Sequence, residues 1–230
     1  MTQNKALENP AMIEQDSGSN YSRRKFLNFI GASTGVAFIA GACNKNDDII
    51  PNNGVDLGSG DVGILNYAYA LEQLEAAFYT KVIASSSNGL SVTEAVRFNE
   101  IKLHELAHRE FFKAALGSNA IIDLEVDFSS INFSSRASII ATAQSFENLG
   151  VTAYNGAGRL ITNGDYLLLA GKIVSVEARH AAYLNDLVSA GSFANTTDAN
   201  GLDMARTPPQ VLAIAGTYIK TKINASHLPS

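Results

Sequence analysis

Tryptophan is missing from this 230-residue chain, cysteine occurs once, and proline five times. The single cysteine, Cys43, excludes an intramolecular disulfide framework and any metal site built from several thiolates. Acidic residues outnumber basic ones, 22 against 17, for a net charge of −5. Because Lys and Arg are also scattered, the basic face of a nucleic-acid binder is excluded. The modestly apolar stretch that ends at Cys43 is short of the roughly 20 apolar residues a membrane-spanning helix needs. What is present is an apolar fraction of 46%, enough to bury the core of one ordinary domain with some length left over.

The surplus lies at the front. Ser22-Arg23-Arg24-Lys25-Phe26-Leu27 resembles a twin-arginine export signal, and the Gly/Ala/Ser-rich stretch after it reads as a signal segment removed from the mature protein. Ala40-Gly41-Ala42 satisfies the small-x-small rule of ordinary signal cleavage. With Cys43 it also resembles a lipoprotein lipobox, although Ala40 stands where leucine is usual. Both readings cut before Cys43, and the placement of the one cysteine there favours lipidation. Residues 1–42 are thus expected to be a signal peptide and 43–60 a polar, Gly/Pro/Asn-rich tether. The domain proper is expected over 61–225. The chain is then exported to the periplasm or held in the cell envelope, touching a membrane only through a lipid on Cys43.

Four long helical segments follow. The first is predicted from an Asp61 N-cap to about Ala84, and the second from a Ser91/Glu94 capping box to about Leu116. Ser135 caps the third, to about Ile161, and Asp165 caps the fourth, which Gly191 ends. Thr207-Pro208-Pro209 opens a short fifth helix, to about Lys220. Short loops make antiparallel hairpins of helices 1–2 and 3–4. The link from Ser118 to Ser134 is much longer. About 17 extended residues reach about 55 Å, more than the ~37 Å of a 25-residue helix, so this link can run the length of the bundle. The fold expected is all-α, a four-helix bundle with one long crossover between helices 2 and 3 and a short C-terminal fifth helix. The β-leaning stretch Ile121–Phe133 has room for a short strand.

Two copies of Glu-x-x-His, Glu105/His108 and Glu177/His180, each follow a lone helical glutamate, Glu72 and Glu147. Positions i and i+3 share a helix face, so a Glu and a His so spaced can reach one metal ion. One Glu from each of two helices and one Glu-x-x-His from each of two others form the ligand set of a dinuclear site inside a four-helix bundle. The halves repeat: Tyr79 follows Glu72 by seven residues and Tyr154 follows Glu147 by seven, about two helical turns. Four carboxylates balance two divalent cations. Without them, two carboxylates about 4 Å apart repel by about 4 kcal/mol at an effective dielectric near 20. Carboxylate and imidazole suit iron or manganese and also admit zinc.

Leu71-Glu72-Gln73-Leu74-Glu75-Ala76-Ala77-Phe78-Tyr79, Glu105-Leu-Ala-His108, Phe146-Glu147 through Tyr154, and Val176-Glu177-Ala-Arg-His180-Ala-Ala-Tyr183 resemble the ferritin-like domain family. The branch they are most similar to holds exported bacterial and plant desiccation-related proteins. The resemblance covers about Asp61–Ala225. It implies a ferritin-like bundle with a carboxylate-bridged pair of iron or manganese ions, bridged by Glu105 and Glu177. The function expected is redox chemistry with a small oxidant, dioxygen or hydrogen peroxide. The alternative is a non-catalytic metal-binding or stress-protective envelope protein. A hollow storage cage sits poorly with an N-terminal lipid and tether.

Several neighbours have two readings. Glu75, one turn past Glu72, is an extra ligand or, preferred, a rim residue. His104 stands behind the ligands or, preferred, in a surface or structural role. Tyr79, Tyr154 and Tyr183 donate hydrogen bonds or electrons to the centre, or are core tyrosines with partnered hydroxyls. Gly150 opens space for an oxidant or permits close helix packing. His227 in the tail is expected to play no part.

Overall fold

Seven residues at most separate the long helices of each hairpin, and that brevity sets the architecture. A computed structural model of the protein describes residues 53–230. The twin-arginine motif, the cleavage site, Cys43 and the first part of the expected tether lie outside the described residues. The elements are β1 (Val55–Asp56), α1 (Gly60–Ala84), α2 (Val92–Leu116), α3 (Arg136–Gly158), α4 (Gly164–Val188), α5 (Pro208–Ala215) and β2 (Ile223–Asn224). The result is the expected all-α bundle with its long crossover, residues 117–135, and a short C-terminal helix.

Contacts between helices fix their directions. Along α1, Asn66, Glu72 and Tyr79 meet Asn119, His108 and Phe98 in turn, so α1 and α2 are antiparallel. Gln144 meets Asn185 and Gly158 meets Leu167, which makes α3 and α4 antiparallel as well. Glu72 with Tyr154 and Tyr79 with Glu147 set α1 antiparallel to α3.

The helices differ in how much they bury. In α2 the buried residues are Phe98, Ile101, Glu105, Phe112 and Leu116 beside the capping Glu94, an amphipathic stripe. In α1 every residue from Gly63 to Ala76 is buried, the mark of a helix enclosed on all sides. Its enclosure needs polar anchors. Asn66 donates to the Leu57 and Asn119 carbonyls at 3.1 and 2.9 Å and accepts from Ile121 N–H at 3.0 Å. Seven residues on, Gln73 accepts from Leu124 N–H at 2.7 Å. The crossover is thereby stitched along α1. Its β-leaning stretch yields one isolated bridge, Val126 to Ile219, and no strand among the described residues.

Three expectations about ends need correction. Ser59, not Asp61, is the N-cap of α1, and it makes no side-chain cap bond. Asp61 instead reaches across to the α3–α4 loop, accepting from Thr162 N–H at 2.8 Å and Asn163 N–H at 2.8 Å. That clamp holds the loop non-helical, so α3 stops at Gly158 rather than Ile161. Asn163, not Asp165, caps α4, its Oδ1 accepting from the Asp165 and Tyr166 amides. By contrast the Ser91/Glu94 capping box forms as expected. So does the Thr207 cap with Pro208, although α5 ends at Ala215, short of Lys220.

The end of the expected tether is not free chain. Val55 lies opposite Ile223 and Asp56 opposite Asn224 in a parallel pair. Leu57 is fully buried, and His227 of the tail meets Asp56 at 2.9 Å. No helix among the described residues is long and apolar enough to cross a membrane.

Asn66→Ala removes the partner of one buried N–H and two carbonyls, at about 1–3 kcal/mol for each group left unmade. We expect a total loss of about 3 kcal/mol or more, read as a lower urea midpoint at unchanged m-value. A loss below about 1 kcal/mol would mean that solvent takes over the anchor.

Candidate metal centre

Each amphipathic stripe of α2 and α4 is interrupted where an apolar side chain belongs. In α2 the intruders are Glu105 and His108; in α4 they are Glu177 and His180, set among Ile173, Ala181 and Leu184. Glu72 and Glu147 occupy the inward faces of α1 and α3. The structure brings all six together. Two groups form, Glu72/Glu105/His108/Glu177 and Glu105/Glu147/Glu177/His180, each with its ligating atoms within 4.8 Å of one another. All four glutamates have zero exposure. Each group can hold a metal ion.

The distances repeat between the halves. His108 Nδ1 lies 2.9 Å from Glu177, 3.4 Å from Glu72 and 3.6 Å from Glu105. His180 Nδ1 lies 3.0 Å from Glu105, 3.2 Å from Glu147 and 3.6 Å from Glu177. The tyrosines cross over: Tyr79 donates to Glu147 at 2.6 Å, and Tyr154 donates to Glu72. Each glutamate is therefore held by the tyrosine of the other half, an arrangement that spacing within one helix does not reveal.

The close contacts are not all hydrogen bonds. His108 Nδ1, Glu72 Oε2 and both oxygens of Glu105 and of Glu177 are buried without a hydrogen-bond partner. His108 Nδ1 nevertheless stands 2.9 Å from Glu177 Oε1. The distance is short without the geometry of a hydrogen bond, so the polar atoms converge on shared space rather than on each other. Orphaned buried polar atoms of this kind need an explanation, and cations among them supply one. The donor set fits iron, manganese or zinc.

The electrostatics agree. Burial opposes charge on His108, yet the carboxylates of Glu105, Glu177 and Glu72 outweigh it and push the imidazole up to about 12. Burial likewise opposes charge on His180, but Glu147 and then Glu105 and Glu177 carry it to about 12. Burial raises Glu147 to about 7 against the pull of His180. Glu105 is raised well above the carboxylate range by burial and then by Glu177 and Glu147. Protons stand in for cations. Burial, then Glu147, also keeps the Tyr79 phenol protonated, and burial, then Glu72, does the same for Tyr154.

The neighbours sort clearly. Glu75 is not a rim residue: it is 5% exposed and raised well above its ordinary value by burial, then by Glu147 and the other three carboxylates. Gly150 faces it, a Cβ there standing 3.3 Å from Glu75 Oε1, so that space is filled by a carboxyl. His104 lies on the exposed side of α2, its Nδ1 2.8 Å from His180 Nε2. Burial and the two other imidazoles lower its pKa, so it stays neutral and can accept from His180. Tyr183 is away from the centre, half-buried beside Glu94, Arg97 and Arg136. The rim position preferred for Glu75 is thus corrected to a buried one; the signal was its place in a helix with almost no polar face.

A family model described as "Ferritin-like domain" matches residues 60–190. No curated protein matches the chain.

Cation binding must expel the protons on His108 and His180 and on the raised carboxyl of Glu105. At pH 7 we expect calorimetry in buffers of different ionisation enthalpy to register about two or more protons released. Apparent affinity rises steeply with pH, by roughly 100-fold per unit or more while these protons leave. Binding without proton release would contradict the charge state described.

Proposed function

The chain belongs to the ferritin-like domain family, and from that premise we propose that it holds a dinuclear centre of iron or manganese that reduces dioxygen or hydrogen peroxide. The ligands are Glu72, Glu105, His108, Glu147, Glu177 and His180. One observation carries this: the two ligand groups share Glu105 and Glu177 and no other residue. Sharing both is what two bridging carboxylates require, and it leaves Glu72/His108 for one ion and Glu147/His180 for the other.

Iron or manganese would supply Lewis acidity and a change of oxidation state; zinc would supply only the first. The chain's own residues bind, orient and exclude. Tyr79 and Tyr154 fix the outer carboxylates through their hydroxyls. His104 accepts from Nε2–H of His180, which turns Nδ1 toward the centre and settles the tautomer. Phe98 packs 5.7 Å from Tyr79 and Phe112 packs 6.4 Å from Tyr154, closing the cluster against water along the bundle. The His108 side chain is 12% exposed, the thinnest cover of the six. That limits access to small molecules, in keeping with an oxidant the size of dioxygen or hydrogen peroxide.

Export by the twin-arginine route and a lipid on Cys43 belong to the same proposal, as a centre loaded before export and then tethered at the envelope. Elemental analysis of protein taken from its own envelope should find two ions of iron or manganese per chain. The loaded protein should consume oxygen or peroxide, and Glu105→Ala should abolish both binding of the pair and turnover. Loading should also raise Tm, each ion adding about 4 kcal/mol of stability when free metal is 1,000 times its Kd. Full loading with the Tm rise but no turnover would replace the redox reading with that of a metal-binding or protective envelope protein.

A further inference from the structure

The two halves superpose by a fixed rule. Residues of α1 map to α3 by adding 75, as Glu72 to Glu147 and Tyr79 to Tyr154. Residues of α2 map to α4 by adding 72, as Glu105 to Glu177 and His108 to His180. Contact distances obey it within 0.2 Å, at 2.9 against 3.0, 3.4 against 3.2 and 3.6 against 3.6 Å. Carried one turn further, the rule fails twice. It pairs Glu75 with Gly150 and His104 with Val176.

Both failures fall on the same side. His104 bonds to His180, and its twin Val176 has nothing to offer His108. Of the four surrounding carboxylates, Glu147 weighs most on Glu75. Gly150 is not required by its backbone, since its φ is not positive, and glycine inside a helix lowers stability. What it supplies is room. A side chain there would stand 3.3 Å from Glu75 Oε1 and crowd it. Glu75 is 5% exposed, and no backbone or side-chain group among the described residues donates a hydrogen bond to its carboxyl. It is a member of neither four-residue group; its Oε1 lies against Gly150, one turn beyond Glu147 on α3, where the glycine leaves it room.

We propose that Glu75 is a seventh ligating side chain, serving the ion held by Glu147 and His180, so that this position fills before its twin at Glu72 and His108. The inference rests on the dinuclear reading above. The four symmetric carboxylates already balance two divalent ions, so the fifth gives one position a surplus of negative charge and an extra oxygen donor. His104 adds to the same position by holding the His180 ring in its ligating orientation. A near-twofold pocket thereby becomes an ordered pair of sites.

The test uses the full chain stripped of metal and given Mn(II) below one equivalent. Anomalous scattering from crystals of that sample should place manganese beside Glu147 and His180. Glu75→Gln should shift occupancy toward the Glu72/His108 position, leaving only the smaller bias from His104, and weaken binding of the first ion roughly 10–100-fold. Gly150→Ala, which displaces the carboxyl while keeping Glu75, should shift occupancy the same way. Glu75→Asp keeps the charge on a shorter arm and should not restore affinity. Even occupancy in the unaltered chain, an unchanged titration with Glu75→Gln, or full rescue by Asp would each overturn the proposal, the last by reducing Glu75 to a bystander charge. No Mn(II) binding by the unaltered chain would instead overturn the dinuclear reading itself.

Discussion

Four carboxylates with no exposure, gathered within one cluster, are the constraint to which the rest of this molecule answers. Any two of them about 4 Å apart repel by about 4 kcal/mol even at a dielectric near 20, while a whole domain is stable by only about 5–15 kcal/mol. A handful of such pairs uncompensated would exceed the whole net stability of the fold. Positive charge must therefore reside among them. In the ion-free protein it resides as protons, on His108, His180 and the raised carboxyls. The ligand atoms left without hydrogen bonds show why this is a makeshift: a proton satisfies one line between two atoms, whereas a cation satisfies all the atoms around it.

The hairpin repeat is the device that makes such a cluster buildable. Each half alone presents one Glu, one Tyr and one Glu-x-x-His, too few to satisfy each other. Packed antiparallel, each half completes the other, Tyr79 holding Glu147 and Tyr154 holding Glu72. The long crossover is what permits this, because a short α2–α3 loop would return α3 in the wrong direction. Its cost is a long irregular segment with backbone groups to satisfy. Asn66 and Gln73 meet that need from α1, and Thr221 adds a 2.8 Å bond to Glu125 N–H from the C-terminal segment.

Residues that break a pattern were legible in the sequence; residues whose meaning depends on distant partners were not. Glu105, His108, Glu177 and His180 stand out because they interrupt apolar stripes at ligand spacing. Ser91 and Ser135 read correctly as caps because a cap is local. Asp61 and Asp165 look like caps by the same local rule, but Asp61 is taken by Thr162 and Asn163, about a hundred residues away in sequence, and Asn163 outcompetes Asp165. Val55 and Leu57 lie in a composition typical of linkers and are buried only because Ile223 and Asn224 return beside them. Glu75 was misplaced for a different reason. One turn from a ligand means rim on an amphipathic helix, and α1 is enclosed on all sides.

That enclosure also explains why the two faces of the cluster differ. Helices α1 and α3 carry the outer glutamates and the tyrosines, and both are sealed by aromatic packing: Phe78 against Tyr79 and Phe146 at 5.1 Å each, with Phe146 in turn against Tyr218 at 4.9 Å. Helices α2 and α4 carry the imidazoles and border solvent, with His104 and Leu103 exposed on α2. Rigid oxygen donors thus form the floor and the groups that must shed protons form the roof. An imidazole beneath a thin cover can pass its proton to water, whereas a carboxyl walled in by phenylalanine cannot. An exchange of protons for cations at this cluster would consequently run through the α2–α4 face, a direction set by which helices the repeat leaves outermost.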